Sequence, residues 1–257
     1  MISQAPFALP EGYDIRIFDV LDSTNHECRR IADTGFAGNT WVSASAQSAG
    51  KGRRGREWVS QPGNLFTSLL YAIDCDLGTA SQLSFVAALA VRDVVVDILQ
   101  APDIVHCKWP NDVLLGGKKV SGILLETAGK GSAAPSHVII GIGINVAHHP
   151  EQVQYPTTDL QSELGQKIDV EKIDVAIVLE RLIHSMDHWI LRWKERGFSV
   201  IRQAWKDSSH GMGQEIIVRL PDETLKGRFV DLDETGALIL EFEGKRRHIT
   251  AGDVFPC

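Results

Sequence analysis

The chain has 257 residues, of which 44% are hydrophobic and 23% charged, and its formal net charge is -7. That length and balance give one large domain, or a large domain with a small partner, and the acidic surplus argues against general nucleic-acid binding. No basic segment leading into an apolar run opens the chain, and no stretch approaches the roughly 20 apolar residues of a spanning helix, so a cytoplasmic protein with no membrane partner is expected.

In chain order, residues 15–20 read as a strand, followed by Asp22-Ser23-Thr24-Asn25 and a short helix to about Ala32, with Thr24 and Glu27 at capping-box spacing. Trp41 to Ala46 alternates as a strand, and Leu65 to Ile73 is a continuous apolar one. Ser81 is placed to cap a helix in which Leu83, Val86, Leu89, Ala90, Val94 and Ile98 keep helical spacing up to Pro102. Residues 104–108 and 113–115 are short strands flanking Trp-Pro-Asn-Asp, and Gly116-Gly117 turns the chain into a strand from Val120 to Glu126. Another strand runs from His137 to Val146, and a loop from Ala147 to Thr158 follows.

Asp169 is the expected cap of a long helix carrying Ile173, Ile177, Leu182, Met186, Ile190 and Trp193 along one stripe and stopping at Gly197. From Gly211 the pattern changes to short strands separated by Pro-Asp, Asp-Glu-Thr-Gly and Glu-Gly-Lys turns, which predicts a small all-β barrel. The division expected is a first domain over 1–210 and a second over 211–257. Cys28, Cys75, Cys107 and Cys257 lack paired spacing and read as reduced thiols.

Four stretches carry chemistry. Between Gly50 and Arg56 the chain packs four cations and three glycines into seven residues. Glycines let a backbone approach a ligand closely, and the cations point to an anion. Gly50, Gly52 and Gly55 match G-x-G-x-x-G, but Pro62-Gly63 follows too soon for the helix a dinucleotide site needs, and no Ser or Thr follows Lys51 as in a Walker A loop. Second, Lys108-Trp109-Pro110-Asn111-Asp112 reads either as a plain turn or as oxygen ligands for Mg²⁺ held together with substrate phosphates. Lys119 begins the returning strand and is placed to stabilise developing negative charge over that turn.

Third, strand period puts Gly141, Gly143 and Asn145 on one face and Ile142 and Ile144 on the other. Two glycines on one strand face each cost about 0.5–1 kcal/mol, which favours a flat floor for a ligand over a bulge or close sheet packing. Fourth, Ser23-Thr24-Asn25 is either an ordinary helix cap or a set of polar donors facing a ligand. His148-His149 lacks a third metal ligand at suitable spacing.

Together Ser23-Thr24-Asn25, Gln47 to Arg56 with Trp58, Lys108 to Asp112, Lys119 with Gly122-Ile123-Leu124, and Gly141 to Asn145 resemble biotin protein ligase over essentially the whole chain, in order and approximate spacing. The resemblance implies an α+β fold: a mixed-sheet catalytic domain of the class II synthetase-like biotin/lipoate ligase type, followed by an SH3-like barrel. It implies that biotin is activated with Mg-ATP to biotinyl-5'-AMP and then transferred to a lysine of a biotin carboxyl carrier protein, typically that of acetyl-CoA carboxylase.

Carried over by motif, Ser23, Thr24, Asn25, Gln47, Lys51, Gly52, Arg53, Lys119 and Gly122 meet biotin. Arg54, Arg56, Trp58, Asn111 and Asn145 meet ATP, and Asp112 meets the metal. By the same resemblance Lys119 and Arg53 are expected to be the catalytic cations. Tyr155 is a stacking candidate at the adenine side.

Lys51 stands where the family commonly has Arg, which keeps the charge without the bidentate fork. The segment Ser60 to Asn64 is one residue shorter than the common pattern. No helix-turn-helix precedes Ile15, so no DNA partner is expected, and homodimerisation is left open. Two rival readings are a lipoate–protein ligase, which shares the fold and the adenylation chemistry, and a non-catalytic phosphate- or carrier-binding module.

Overall fold

A computed structural model describes residues 6–129, 136–151, 155–165 and 173–257. The first unit is a seven-stranded mixed sheet in the order β1-β2-β3-β7-β6-β5-β4. Its strands are β1 (Tyr13–Leu21), β2 (Asn39–Gln47), β3 (Leu65–Ala72), β4 (Val105–Lys108), β5 (Asp112–Leu115), β6 (Lys118–Ala128) and β7 (His137–Ile144). β1 and β2 run parallel, joined through α1 (Thr24–Asp33), and every other pairing is antiparallel. Gly116 and Gly117 both have positive φ, 57° and 78°, the two-residue turn that closes a tight β5–β6 hairpin.

Each face of the sheet is covered. α1 lies on one side, where Cys28, Ile31 and Ala32 pack against Val42, Leu70 and Ile139. On the other, α3 (Leu83–Leu99), α5 (Val175–Arg196) and α6 (Phe198–Asp207) bury the large core that includes Ile140, Ile142 and Ile144. The expected alternation along β7 therefore holds: isoleucines enter the core, and Gly141 and Gly143 face the α1 side. α3 is apolar nearly all round, as a helix packed on several sides must be.

The helix starts differ from expectation. Ser23 occupies the cap position of α1, but no side chain caps it and the Thr24–Glu27 box does not form; Glu27 is drawn to Arg30 at 2.7 Å. A short helix, α2 (Leu77–Ser81), is capped by Asp76 and merges into α3 at Gln82, so Ser81 ends one helix instead of starting the next. α5 is capped by Asp174 and stopped by Gly197 at φ 73° as expected, while Asp169 lies outside the described residues. The short helix α4 (Leu160–Gly165) and the amphipathic α6 were not foreseen.

The C-terminal unit holds β8 (Glu215–Arg219), β9 (Thr224–Leu232), β10 (Leu238–Phe242), β11 (Lys245–Ile249) and β12 (Asp253–Pro256), all antiparallel in the order β11-β10-β9-β8-β12. Among the described residues no pairing joins β11 to β12, so the expected barrel is an open sheet. It docks onto the first unit through the Trp109 indole N–H, which donates to the Gly236 carbonyl at 3.0 Å, and through Phe85 packed against Gly236. All four cysteines are free, two of them buried. Among the described residues no helix is long and apolar enough to cross a membrane.

Candidate active site

A cleft opens on the α1 face of the large sheet where the C-terminal sheet meets it, and it gathers nearly all of the residues singled out from the sequence. Ser23, Thr24, Asn25, Gln47, Lys51, Gly52, Arg53, Arg56, Trp58, Asn111, Asp112, Lys119, Gly122 and Tyr155 all line it.

The floor is made by glycines on paired strands. Gly122 of β6 sits in register with Gly143 of β7, and Gly141 follows two residues along. A Cβ on Gly143 would lie 2.5 Å from the Trp58 indole, and one on Gly122 would lie 2.9 Å from the same ring. A Cβ on Gly141 would lie 2.3 Å from Asn25 Oδ1. The missing side chains therefore let flat and polar groups rest directly on the sheet backbone. The Trp58 indole N–H is buried and has no acceptor among the described residues.

The polar wall is a chain of hydrogen bonds, buried at Ser68 and part-buried at its two ends. Asn25 Nδ2 donates to Glu126 Oε2 at 2.7 Å, and Asn25 Oδ1 lies 2.6 Å from the Ser68 hydroxyl, itself 2.7 Å from Thr24 Oγ1. Gln47 Oε1 then accepts from the Thr24 backbone N–H at 2.8 Å, taking up a free donor at the start of α1. Gln47 Nε2 donates to Ser60 Oγ, whose own hydroxyl reaches the Trp58 carbonyl. This network holds the Ser-Thr-Asn segment and the exit of the basic loop in one geometry. Ser68 and Glu126 were not foreseen; the hint for Ser68 is the Thr67-Ser68 pair interrupting an otherwise apolar strand.

Lys119 reaches the cleft through a β-bulge. Val113 pairs with Ser121 and Leu114 with Lys119, leaving Val120 as the extra residue on β6. Regular alternation from Gly122 would put Val120 on the floor side; the bulge puts Val120 in the core and Lys119 over the floor. Its ammonium lies 2.7 Å from Asp112 Oδ1, 5.4 Å from the Trp58 ring centroid and 5.2 Å from that of Tyr155.

Positive charge surrounds the cleft. The Arg53 guanidinium donates to Asn111 Oδ1 at 3.1 Å. Burial pushes it below its ordinary value; Asp253 and Asp112 oppose that shift while Arg54 and Arg56 add to it. Lys108 is half-buried between the rings of Tyr155 and Phe255, and desolvation lowers it, with Asp112 opposing and Lys119 adding. Among the described residues neither Arg53 nor Lys108 has a carboxylate at ion-pair distance. Two partly desolvated cations, each near but not directly paired with a carboxylate, make the cleft suited to an anion. Lys108 belongs to the Trp-Pro-Asn-Asp block, though it was not among the assigned contacts.

Two of the assigned residues, Arg54 and Asn145, do not line the cleft. Arg54 pairs with Asp253, which does line it. Asn145 is buried behind it, where its Nδ2 donates to the Thr158 carbonyl and its backbone N–H to Val120. Lys51 lines the rim, 3.0 Å from His26 Nε2. Asp112 is the carboxylate beside Lys119, and among the described residues no group of three metal-ligating side chains forms. His149 pairs with Asp159 at 2.5 Å.

The family model described as "Biotin/lipoate A/B protein ligase family" matches residues 17–145, and that described as "Biotin protein ligase C terminal domain" matches residues 211–255. A protein of Paracoccus denitrificans named biotin--[acetyl-CoA-carboxylase] ligase is 39% identical over 91% of this chain and 97% of its own length. The bifunctional ligase/repressor BirA of Bacillus subtilis is 34% identical over 95% of this chain and 74% of its own. Among solved structures, the biotin protein ligase of Aquifex aeolicus in complex with biotin and ATP superposes with a TM-score of 0.78 at 28% identity, covering 94% of this chain and 97% of that one.

Proposed function

The chain belongs to the biotin/lipoate A/B protein ligase family, and from that premise we propose that it is a biotin–protein ligase. It activates biotin with ATP to biotinyl-5'-AMP and transfers biotin to a lysine of a carrier protein. The observation that carries this reading is the cationic, glycine-floored cleft, on a chain whose Paracoccus relative, of nearly matching length, bears that activity in its name.

In the first step a biotin carboxylate oxygen attacks the α-phosphorus of ATP, an O–P bond forms and pyrophosphate leaves. Lys119, held by Asp112, and Arg53, held by Asn111, are the fixed cations beside the bond being made. Ser23, Thr24, Asn25, Gln47, Lys51, Gly52 and Gly122 line the biotin side, and the Gly122–Gly143 floor carries the Trp58 indole that bounds it. Arg54, Arg56, Trp58, Asn111 and Asn145 serve the ATP side, Arg54 and Asn145 from behind the cleft wall.

Magnesium arrives with ATP as substrate; Asp112 is the carboxylate that would share it with the phosphates, as suits an ion that keeps few protein ligands. In the second step the carrier lysine's amine attacks the acyl carbon, a C–N bond forms, the C–O bond to phosphate breaks, AMP leaves and the amine gives up its proton. The carrier is the biotin carboxyl carrier protein of acetyl-CoA carboxylase or a related carboxylase. Residues 1–210 form the catalytic domain and 211–257 the C-terminal domain, and the enzyme works in the cytoplasm.

Biotin-dependent ATP–pyrophosphate exchange, with lipoate as competitor, tests the assignment. Exchange driven by biotin and indifferent to lipoate is expected; exchange driven by lipoate alone would move the chain to the lipoate branch of the family.

A further inference from the structure

The C-terminal sheet reaches the cleft through one charged side chain. Asp253 opens β12, an edge strand, and lines the cleft together with Val254 and Phe255. Its Oδ2 accepts from Arg54 Nη1 at 3.0 Å and its Oδ1 from Arg56 Nη2 at 2.9 Å, so both carboxylate oxygens are engaged by the basic loop. Little else holds the loop tip. No residue of Arg53–Gly55 is buried, and Arg54 sits in the left-handed region at φ 56°, ψ 33°, a conformation that persists for a non-glycine residue only when its surroundings enforce it.

Inside the loop, Gly52 N–H donates to the Arg56 carbonyl, Arg56 Nε donates to the Arg53 carbonyl, and the backbones of Lys51 and Glu57 pair as an isolated antiparallel bridge. Among the described residues, the bonds from the tip to the rest of the molecule are those from Arg53 to Asn111 and from Arg54 and Arg56 to Asp253.

We propose that Asp253 is a positioning residue that latches the basic loop over the cleft from the C-terminal sheet. This rests on the ligase reading, because an acyl adenylate is readily hydrolysed and has to be shielded from water until the carrier amine arrives. The latch joins elements 197 and 199 residues apart, and so gives the C-terminal sheet a task in the chemistry that none of its residues performs directly. Both pairs are partly exposed, so salt screens them and each is individually weak. Two on one carboxylate shift the closed–open balance by about five- to ten-fold.

The test uses the full-length protein and its Asp253→Asn and Asp253→Glu variants. Amide hydrogen exchange across residues 50–58 without ligand reads the latch directly. Biotin-dependent AMP release in the absence of carrier, divided by carrier biotinylation, reads its consequence. Asp253→Asn is expected to raise loop exchange and the leak ratio together by about five- to ten-fold, with Asp253→Glu restoring both and high salt bringing wild type toward the Asn variant.

The Arg54→Ala/Arg56→Ala double variant removes the same pairs from the loop side and must raise loop exchange equally, which separates the latch from damage to the C-terminal sheet. Loop exchange within two-fold of wild type in the Asn variant overturns the proposal, as does a rise confined to Asp253 variants or a leak that falls. Absence of biotin-dependent AMP in wild type would instead count against the ligase reading, leaving the exchange measurement to judge the latch.

Discussion

Adding one methyl group to the glycine floor should damage the site in an order set by what each new Cβ meets. On Gly143 it would lie 2.5 Å from Trp58 Cε2 and Nε1 and 2.7 Å from Cζ2. Comfortable carbon contacts need about 3.5 Å or more, so the ring has to move by roughly 1 Å. The indole is rigid, and its backbone N–H is fixed to the Gly50 carbonyl at 3.0 Å, so the ring moves by lifting the loop. Overpacking of this kind costs about 1–3 kcal/mol, or about 5- to 150-fold in kcat/KM if the closed loop is the active form. Because the loop can rise without disturbing the core, the Tm of Gly143→Ala should stay near wild type.

Gly122→Ala meets the far end of Lys119 at 3.1–3.2 Å and a ring edge at 2.9 Å; the lysine tip can swing away, so the loss belongs at the lower end of that range. Gly141→Ala is the worst of the three. Its Cβ would fall 2.3 Å from Asn25 Oδ1, and Asn25 is pinned by Glu126 and Ser68, so relief means breaking buried hydrogen bonds at about 1–3 kcal/mol for each group left unpaired. This variant should lose both activity and thermal stability. The assay is biotin-dependent pyrophosphate exchange across a concentration series, alongside thermal melts. A Gly143→Ala enzyme with wild-type kcat/KM, or Gly122→Ala more damaged than Gly141→Ala, would refute the floor argument.

Two further outcomes are expected. Lys119→Ala should slow adenylate formation on the order of 10²–10³-fold, and normal pyrophosphate exchange in this variant would remove Lys119 from the chemistry. Asp233 accepts from Thr235, from the Ala237 N–H and from His248; burial raises its carboxyl, yet these bonds more than offset that and hold it at about 2 against an ordinary 3.8. A depressed carboxylate contributes stability that is present above its unfolded value and lost as the pH falls through the folded one. The C-terminal sheet should therefore weaken between about pH 4 and 2. Asp233→Asn should flatten that part of the stability–pH curve, and an unchanged acid limb would contradict the assignment.

What could be read from the sequence was what depends on neighbours along the chain. Period two on β7 set Gly141 and Gly143 apart from Ile142 and Ile144, the Gly116-Gly117 pair marked its hairpin, Gly197 stopped α5, and the mismatch between cationic loop and acidic chain marked the anion site. The motif blocks added most of the cleft lining, because residues that must touch one ligand keep their types and order.

Other features were hidden for a physical reason. A β-bulge depends on the partner strand, so the turn of Lys119 over the floor cannot be counted off from Gly122. α6 starts directly at the glycine that ends α5, so its short stripe of Phe198, Ile201 and Trp205 is easily taken for part of a loop. Asn145 looked like part of the floor by alternation, but the strand ends at Ile144, and beyond it the backbone leaves the sheet and turns the amide toward Thr158.

Short-range chain preferences set the local conformations and mark which residues are chemically fit for a site that binds anions and adenylates its substrate. How they are held follows from the packed fold: Asn25 by Ser68 and Glu126, 43 and 101 residues away, and the basic loop by Asp253, 199 residues from Arg54. Local backbone preferences act over a few residues, whereas the partner of a buried amide or a loop arginine is whichever group the packed chain brings within about 3 Å.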